Sequence, residues 1–141
     1  MIIMENKIEA YILERKVFTL ATCNNNIPYC ANCYYVYNNE SKTLIFLSSD
    51  TTRHIAEALS NNKVAGTIDN DDTTVAKIKG LQFTGDFITP SAEEEKQLYK
   101  RYYHKFPFAK EIPSPIWTIK LNWVKMTDNT LGFGKKLKWE R

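Results

Sequence analysis

Three aromatic-rich runs joined by short polar turns constrain the fold of this chain more than any other feature of its sequence. They read VFTLATC from residue 17, YCANCYYVY from residue 29 and TLIFLS from residue 43. The connections between them, NNNIP and NNESK, consist of residues that favour tight turns. β-Branched and aromatic runs separated by such turns pair with their neighbours in sequence, so they predict an antiparallel meander.

One helix precedes this meander and another follows it. Apolar residues recur every three or four positions from Met4 to Ile12, which indicates an amphipathic first helix. The sequence of residues 52–62 predicts a second helix, whose apolar face would consist of Ile55, Ala58 and Leu59.

A third helix and further strands complete the pattern. Ser91 and Glu94 have the spacing of a capping box, which marks the start of the third helix. Gly80 and Gly85 lie inside the strand-like stretch of residues 74–89. Glycine within a strand indicates a bulge, a bend or a close approach. The additional strands are predicted at residues 63–69, 74–89, 115–126 and 133–140.

Together these elements predict a mainly β fold of the α+β class in one domain, residues 1–141. Six or seven antiparallel strands with three short helices are typical of a small barrel. The 43% hydrophobic and 25% charged residues fit an ordinary globular protein.

No stretch reaches the roughly 18 apolar residues of a membrane-spanning helix, and the N-terminus lacks a signal-peptide pattern. We therefore expect a cytoplasmic protein without membrane contact.

The three cysteines do not have the pattern of a metal or disulfide site. They are Cys23, Cys30 and Cys33, an odd number in a chain without an export signal. In a strand, residues three apart point to opposite faces, so the CANC segment would not bring its two thiols together. We expect structural thiols and no metal.

Polar and cationic residues are concentrated in the segment SSDTTRH, between the third strand and the second helix. The first N–H groups of a helix and its dipole together form an anion site, and arginine suits phosphate. Helix capping by the same hydroxyls is the alternative, and both interpretations remain open. The residues concerned are Ser48, Ser49, Thr52, Arg53 and His54.

The net charge of +3 is too small to indicate a nucleic-acid partner by itself. Residues 117–141 hold five Lys and one Arg against one Asp and one Glu, a net charge of +4. Such a segment is an anion site, a nucleic-acid face or, as the default, a solvated surface.

Several motifs spread over nearly the whole chain carry a resemblance to a known family. They are CAN, TRH, VAGT, GLQFTG, KFP and TDNTLGFGKK. With the order of elements described above, they resemble the pyridoxamine-5′-phosphate-oxidase-like family of FMN-binding split barrels, and within it the uncharacterised YhbP-type bacterial branch. The resemblance implies a split β-barrel that binds FMN.

The resemblance also implies where FMN would be held. The Thr52-Arg53-His54 corner, with the hydroxyls of Ser48 and Ser49, would grip the phosphate. The second strand would run along the flavin ring and offer its backbone to the ring's polar edge. The residues of that strand are Ala31, Asn32, Cys33 and Tyr34, and Asn32 falls where members of the family often carry arginine.

Further contacts are implied for later parts of the chain. Relatives have a glutamine at the start of the long strand, and Gln82 is the candidate for that role here. Relatives also form homodimers in which late residues of one subunit complete the flavin site of the other. In this chain that role would belong to Asn129 and to residues 133–135, with Lys135 or Lys136 near the ring or the phosphate.

The function implied is an FMN-dependent oxidoreductase that passes electrons from NADH or NADPH to a small-molecule acceptor. The sequence contains no motif for a protein nucleophile, which suits flavin chemistry because the cofactor itself carries the hydride. No catalytic residue is assigned. The alternatives are a non-catalytic binder of flavin or haem, and a polyanion- or partner-binding module that uses the basic C-terminus; the small net charge disfavours nucleic acid.

Overall fold

The structure is a computed structural model that describes residues 3–141, so residues 1 and 2 of the predicted domain lie outside it. Within the described residues, no helix combines the length and the apolar character needed to cross a bilayer. The helices are α1 (Asn6–Glu14), α2 (Arg53–Ser60) and α3 (Ala92–Lys105), and the strands are β1 (Val17–Asn24), β2 (Ile27–Asn38), β3 (Thr43–Leu47), β4 (Lys63–Asp69), β5 (Lys79–Ile88), β6 (Ile116–Asp128) and β7 (Lys136–Glu140).

All seven strands belong to one antiparallel sheet with the order β3-β2-β1-β4-β5-β6-β7. A further pairing of β3 with the first part of β6, residues 116–120, closes the first six strands into a barrel. The last part of β6 pairs with β7, which extends the sheet beyond the barrel. The predicted class, a mainly β antiparallel split barrel with three short helices, is confirmed.

Alternation along the strands fills the barrel with aromatic side chains. The ring of Phe18 contacts Tyr35, Phe46 and Phe83 at centroid distances between 5.3 and 6.1 Å. All four side chains are almost completely buried. Because such rings bury large apolar areas and also contact each other edge to face, they dominate the stability of this core.

Three details of the predicted elements are wrong. The strand predicted at residues 133–140 begins only at Lys136, because the chain turns at Gly134, whose φ is positive. Leu59 was expected on the buried face of α2, but it is 53% exposed, and Glu57 is buried in its place. Hydrogen bonds to its carboxylate, described below, make that burial tolerable. The strand predicted from residue 74 begins only at Lys79, because Val75–Lys77 forms a turn of 3₁₀ helix.

Gly85 lies at a bulge in the pairing of β5 with β6. A Cβ atom at this position would lie 2.6 Å from the carbonyl oxygen of Lys120, so only glycine fits this close approach. Gly80, in the same strand, has open space around the corresponding position. The expectation of a bulge or close approach is therefore confirmed for Gly85 alone.

Candidate functional site

One edge of β2 is open along the first half of the strand. Residues 27–34 pair with β1 on one side, whereas pairing with β3 on the other side begins only at Tyr35. Backbone groups of alternate residues in an antiparallel ladder point to opposite neighbours. The N–H of Tyr35 donates to the carbonyl of Lys16 on the β1 side (2.9 Å). The backbone groups of Cys30 and Asn32 therefore point away from β1, towards the open edge.

Helix α3 closes one end of this open edge. The hydroxyl of Tyr102 donates to the carbonyl of Tyr34 (3.4 Å). The ammonium of Lys105 donates to the carbonyls of Arg15 (2.7 Å) and Tyr35 (3.2 Å). Burial lowers the pKa of Lys105 to about 8. The Tyr102 contact holds α3 at the end of the open edge, and the Lys105 contacts hold the last turn of α3 beside the start of β1.

The segment after β3 leaves β2 and follows β6 instead. Beyond Leu47 the chain stays beside β6, because the N–H of Ser48 donates to the carbonyl of Pro115 (3.1 Å) and the indole N–H of Trp117 donates to the carbonyl of Ser48 (2.9 Å). β2 no longer pairs with the chain at this level. The Arg53 guanidinium lies over the ring of Tyr29, so the corner of residues 48–54 adjoins the open edge of β2. We call the region between the two the edge cleft.

Several hydroxyls of this corner serve the chain itself. Thr52 is the N-cap of α2, where its Oγ1 accepts from the N–H of Ile55 (3.4 Å) and donates to the carbonyl of Ser49 (2.8 Å). The hydroxyls of Ser49 and Thr51 are hydrogen-bonded to each other (2.8 Å). The capping interpretation therefore holds for Thr52, and it accounts for much of the hydroxyl content of this segment.

His54 is held against Ser48. Its Nε2 lies 2.7 Å from Oγ of Ser48 and 3.4 Å from Oγ1 of Thr52. Burial lowers the pKa of His54 below its ordinary value. At neutral pH the imidazole is therefore neutral and acts in the corner as a hydrogen-bonding group rather than as a cation.

Arg53 is the permanent cation of the corner. Its side chain is 53% exposed, and its Nε donates to Oε2 of Glu57 (2.7 Å). The guanidinium carbon lies 4.1 Å from the centre of the Tyr29 ring. Among the described residues, the two terminal nitrogens of Arg53 have no hydrogen-bond partner, so they can bind an anion from solvent.

The four predicted residues of β2 divide between the two faces of the strand. Cys33 is buried, and burial raises the pKa of its thiol to about 11. The side chain of Asn32 lies on the outer face, where it accepts from the hydroxyl of Thr19 (2.7 Å). The exposed Tyr34 packs its ring against Phe106 at 5.6 Å. Ala31 is only partly exposed, so this strand offers the edge cleft mainly backbone groups.

Gln82 lies on the outer face of the sheet, three strands from the open edge of β2. The strand registers place it in a polar row that crosses the sheet at the level of Asn32, three strands away or about 14 Å at the usual strand spacing. The members of this row are Asn32, Thr19, Thr67, Gln82, Lys125 and Lys138.

Asn129 and Lys135 lie at the opposite end of the barrel from the corner. They follow the far end of β6, a strand of 13 residues whose first residue pairs with the last residue of β3. The amide of Asn129 fastens its own loop, since it donates to the carbonyl of Val75 (2.8 Å) and accepts from the N–H of Gly134 (2.9 Å). Phe133 is 87% exposed in that loop. In a single protomer these residues do not reach the edge cleft.

Sequence reasoning did not identify three residues that shape the corner. Tyr29 supports the Arg53 guanidinium, Glu57 binds it, and the hydroxyl of Thr22 donates to Oε1 of Glu57 (2.8 Å). The spacing of Arg53 and Glu57, four residues apart in a helix, was the available signal for their pairing. The Thr22 contact crosses 35 residues of sequence and has no local signal.

Comparison with known families and sequences gives consistent matches. A family model described as pyridoxamine 5′-phosphate oxidase matches residues 4–128. A UPF0306 protein of Photorhabdus laumondii is 42% identical over 95% of this chain and 94% of its own length. The UPF0306 protein YhbP of Salmonella arizonae is 37% identical over 95% of this chain and 91% of its own length.

Solved structures with the same fold have much lower sequence identity. A haem-binding protein from Mycobacterium smegmatis superposes with a TM-score of 0.79 at 14% identity; the match covers 99% of this chain but only 60% of that one. An FAD-binding protein from Mesorhizobium loti gives a TM-score of 0.72 at 16% identity and covers 85% of this chain and 91% of that one. These likenesses show the fold alone.

Proposed function

This chain belongs to the pyridoxamine 5′-phosphate oxidase family, in which it groups with the UPF0306 proteins, and on that premise we propose that it binds FMN in the edge cleft and acts as an oxidoreductase. The observation that carries the proposal is the position of the exposed Arg53 guanidinium beside an unpaired stretch of β2 backbone. A planar ligand that carries a phosphate needs a cation for the phosphate and unpaired backbone N–H and C=O groups for the polar edge of its ring.

The residues of the cleft fit the chemistry of FMN. The open edge presents N–H and C=O groups of Cys30 and Asn32, and a flavin ring carries both acceptors and donors along its polar edge. Arg53 offers its terminal nitrogens to the phosphate, and the first N–H groups of α2 add donors and the positive end of the helix dipole. Backbone recognition of this type tolerates the absence of an arginine at Asn32.

Each group of the chain would have a distinct role towards the cofactor. The Ser48–His54 hydrogen bond fixes the corner so that the N-terminus of α2 keeps its direction. The β2 backbone would orient the ring, and Tyr102 of α3 would cover the end of the open edge at Tyr34. A bound flavin supplies hydride transfer between a donor and an acceptor. The chain therefore needs no nucleophile of its own.

The site is completed by a second protomer in this proposal. Asn129, Phe133 and Lys135 lie too far from Arg53 to act on the same cleft. In a homodimer the exposed tip of the β6–β7 loop would close the partner's cleft, with Phe133 as its apolar contact and Lys135 as its cation. We take NADH or NADPH as the electron donor and a small molecule as the acceptor.

Reconstitution with cofactor tests this proposal. The purified chain is incubated with FMN or with haemin, gel-filtered and scanned between 350 and 550 nm, and its oxidation of NADH and NADPH is then followed with added acceptors. Retained flavin bands and nicotinamide oxidation support the proposal. A Soret band without flavin retention would favour a haem binder. If the protein retains neither cofactor but binds polyanions in a salt-sensitive way, the polyanion-binding alternative is favoured.

A further inference from the structure

A chain of contacts from β1 through α2 to β2 surrounds Arg53. The hydroxyl of Thr22 donates to Oε1 of Glu57 at 2.8 Å, and Nε of Arg53 donates to Oε2 of the same carboxylate at 2.7 Å. The guanidinium also lies over the ring of Tyr29 at 4.1 Å. Glu57 of the same helix and Tyr29 of β2 therefore contact this exposed side chain directly, and Thr22 of β1 holds Glu57 in turn.

Glu57 is unusual because it is a carboxylate buried on the apolar side of a short helix. Its side chain is only 11% exposed, whereas that of Arg53 is 53% exposed. The hydrogen bonds from Arg53 and Thr22 hold the pKa of Glu57 below its usual value, so the carboxylate is ionised at neutral pH. A buried acid of this kind costs stability unless it is paired, and the hydrogen bonds from Arg53 and Thr22 supply that pairing.

The geometry leaves a defined part of Arg53 free. Nε is occupied by Glu57 and one face of the guanidinium is covered by Tyr29. The edge that carries the two terminal nitrogens has no partner among the described residues. An unrestrained arginine loses rotamer freedom when it binds an anion, and this opposes binding. An arginine that is already restrained in the free protein does not have this entropic cost.

We propose that Tyr29 and Glu57 are positioning residues that hold the Arg53 guanidinium with its terminal nitrogens directed at the ligand's phosphate. The inference rests on the proposed binding of FMN and goes beyond it, because it assigns the phosphate selectivity of the site to two residues that do not themselves contact phosphate. Thr22 supports Glu57 in turn. The charges of Glu57 and Arg53 offset each other, so selectivity comes from directed N–H donors rather than from net charge.

The test is a double-mutant cycle read as the ratio of FMN to riboflavin affinity, measured by quenching of flavin fluorescence in the full chain. Tyr29→Leu removes the ring beneath the guanidinium, and Tyr29→Phe keeps it. We expect Tyr29→Leu to lower FMN affinity about two- to fivefold, the usual range for an exposed cation–π contact, and to leave riboflavin unchanged. Tyr29→Phe should restore the wild-type ratio.

The Arg53→Ala background separates positioning from general structural effects. If Tyr29 and Glu57 act through Arg53, then Tyr29→Leu and Glu57→Gln change the FMN-to-riboflavin ratio of the wild type and change nothing further in Arg53→Ala. Tyr103→Leu is the matched control, since Tyr103 also underlies a cation, Lys110 at 5.8 Å, but lies on α3 away from the corner. It should leave the ratio unchanged.

The outcomes separate this inference from the proposed function. A loss of the FMN preference in Arg53→Ala but not in Tyr29→Leu would overturn the positioning role and leave FMN binding intact. Effects of Tyr29→Leu that persist in the Arg53→Ala background, or that weaken riboflavin equally, would also overturn it. An unchanged ratio in Arg53→Ala itself would remove the phosphate contact on which both rest. Because Glu57→Gln replaces a buried group, its folding is checked by thermal unfolding, and the partly exposed Tyr29 carries the test if that variant is unstable.

Discussion

Nε2 of His54 lies 2.7 Å from the hydroxyl oxygen of Ser48, so the end of β3 is joined to the first turn of α2 across the corner of residues 48–54. The carbonyl of Ser48 is held in addition by the indole of Trp117. The corner therefore has its shape before any ligand arrives. A ligand that binds there does not have to order the loop, and this lowers the entropic cost of binding.

Replacement of Arg53 by alanine should weaken FMN binding about tenfold or more and leave riboflavin binding nearly unchanged. A charge-assisted hydrogen bond to phosphate is lost, while contacts of the ring with the β2 edge remain. Isothermal titration with both ligands measures the two constants. Arg101→Ala, which removes an exposed arginine from α3, is the control and should change neither constant. Equal losses for both ligands in Arg53→Ala would contradict the phosphate contact.

Replacement of Phe133 by serine should leave the fold intact and weaken both FMN binding and dimer formation. The side chain is 87% exposed, so its removal costs the isolated protomer little. Thermal unfolding at low protein concentration, light scattering and FMN titration give the three readouts.

This substitution is a better test than deletion of the residues after Thr127. Deletion would remove β7 and with it Trp139, which is buried to 3% exposure. A loss of FMN affinity in the deletion variant would then be explained equally well by a damaged core and by a lost contact of the loop tip. A Phe133→Ser variant that forms the same dimer and binds FMN with unchanged affinity would show that the loop tip is not part of the site.

Gly85→Ala should destabilise the chain by about 1–3 kcal/mol, the usual cost of overpacking. Its new Cβ would lie 2.6 Å from the carbonyl oxygen of Lys120 and 2.7 Å from Cγ2 of Ile119. Gly80→Ala, in the same strand, meets nothing within 4 Å, and should be neutral or stabilising by about 0.4–1 kcal/mol because it restricts the unfolded chain. Urea unfolding compares the two variants, and similar losses in both would contradict the bulge geometry.

Lys105 should make the stability of the protein rise with pH over part of the alkaline range. Burial lowers its pKa from 10.5 to about 8, so between these values the unfolded chain holds a proton that the folded chain has released. The free energy of unfolding therefore increases as pH rises through that window, and it decreases again as pH falls to 8.

Lys105→Met isolates this effect. Other groups titrate alike in both proteins, so the difference in unfolding free energy between wild type and variant should shift in favour of the wild type from pH 8 to pH 10. Lys100→Met, on the exposed face of the same helix, controls for the loss of a helical lysine. If the difference in unfolding free energy between wild type and Lys105→Met stays constant with pH, then burial does not lower the pKa of Lys105.

The sequence was sufficient for the fold because its signals are local. Strand alternation, the turns after Asn24 and Asn38, and the capping box at Ser91 and Glu94 all act over a few residues, and the structure confirms each of them. Leu59 was misplaced because helical periodicity assigns apolar residues to the buried face by default. The burial of Glu57 depends on Thr22, which a local pattern cannot register.

The candidate site was harder to predict because it combines backbone and long-range contacts. Arg53 was recognised from its position at a helix start, but its orientation depends on Tyr29 from another strand. The opening of β2 before Tyr35 follows from where β3 stops pairing, which residue types do not encode. The amide of Asn129 was expected near a ligand, and it is hydrogen-bonded to Val75 of the β4–β5 connection and to Gly134 of its own loop. A role in the partner's cleft stays a prediction.

The pairing of β3 with β6 also determines the order in which the chain can assemble. Thr43 to Leu47 must wait for residues 116–120, whereas β1, β2 and β3 can pair as soon as they are made. During synthesis from the N-terminus, the free flank of β1 is covered once β4 is made, whereas the flank of β3 stays unpaired until most of the polypeptide has left the ribosome. Barrel closure across so many residues is a slow, non-local step, and the exposed flank of β3 is where premature association with other nascent chains would begin.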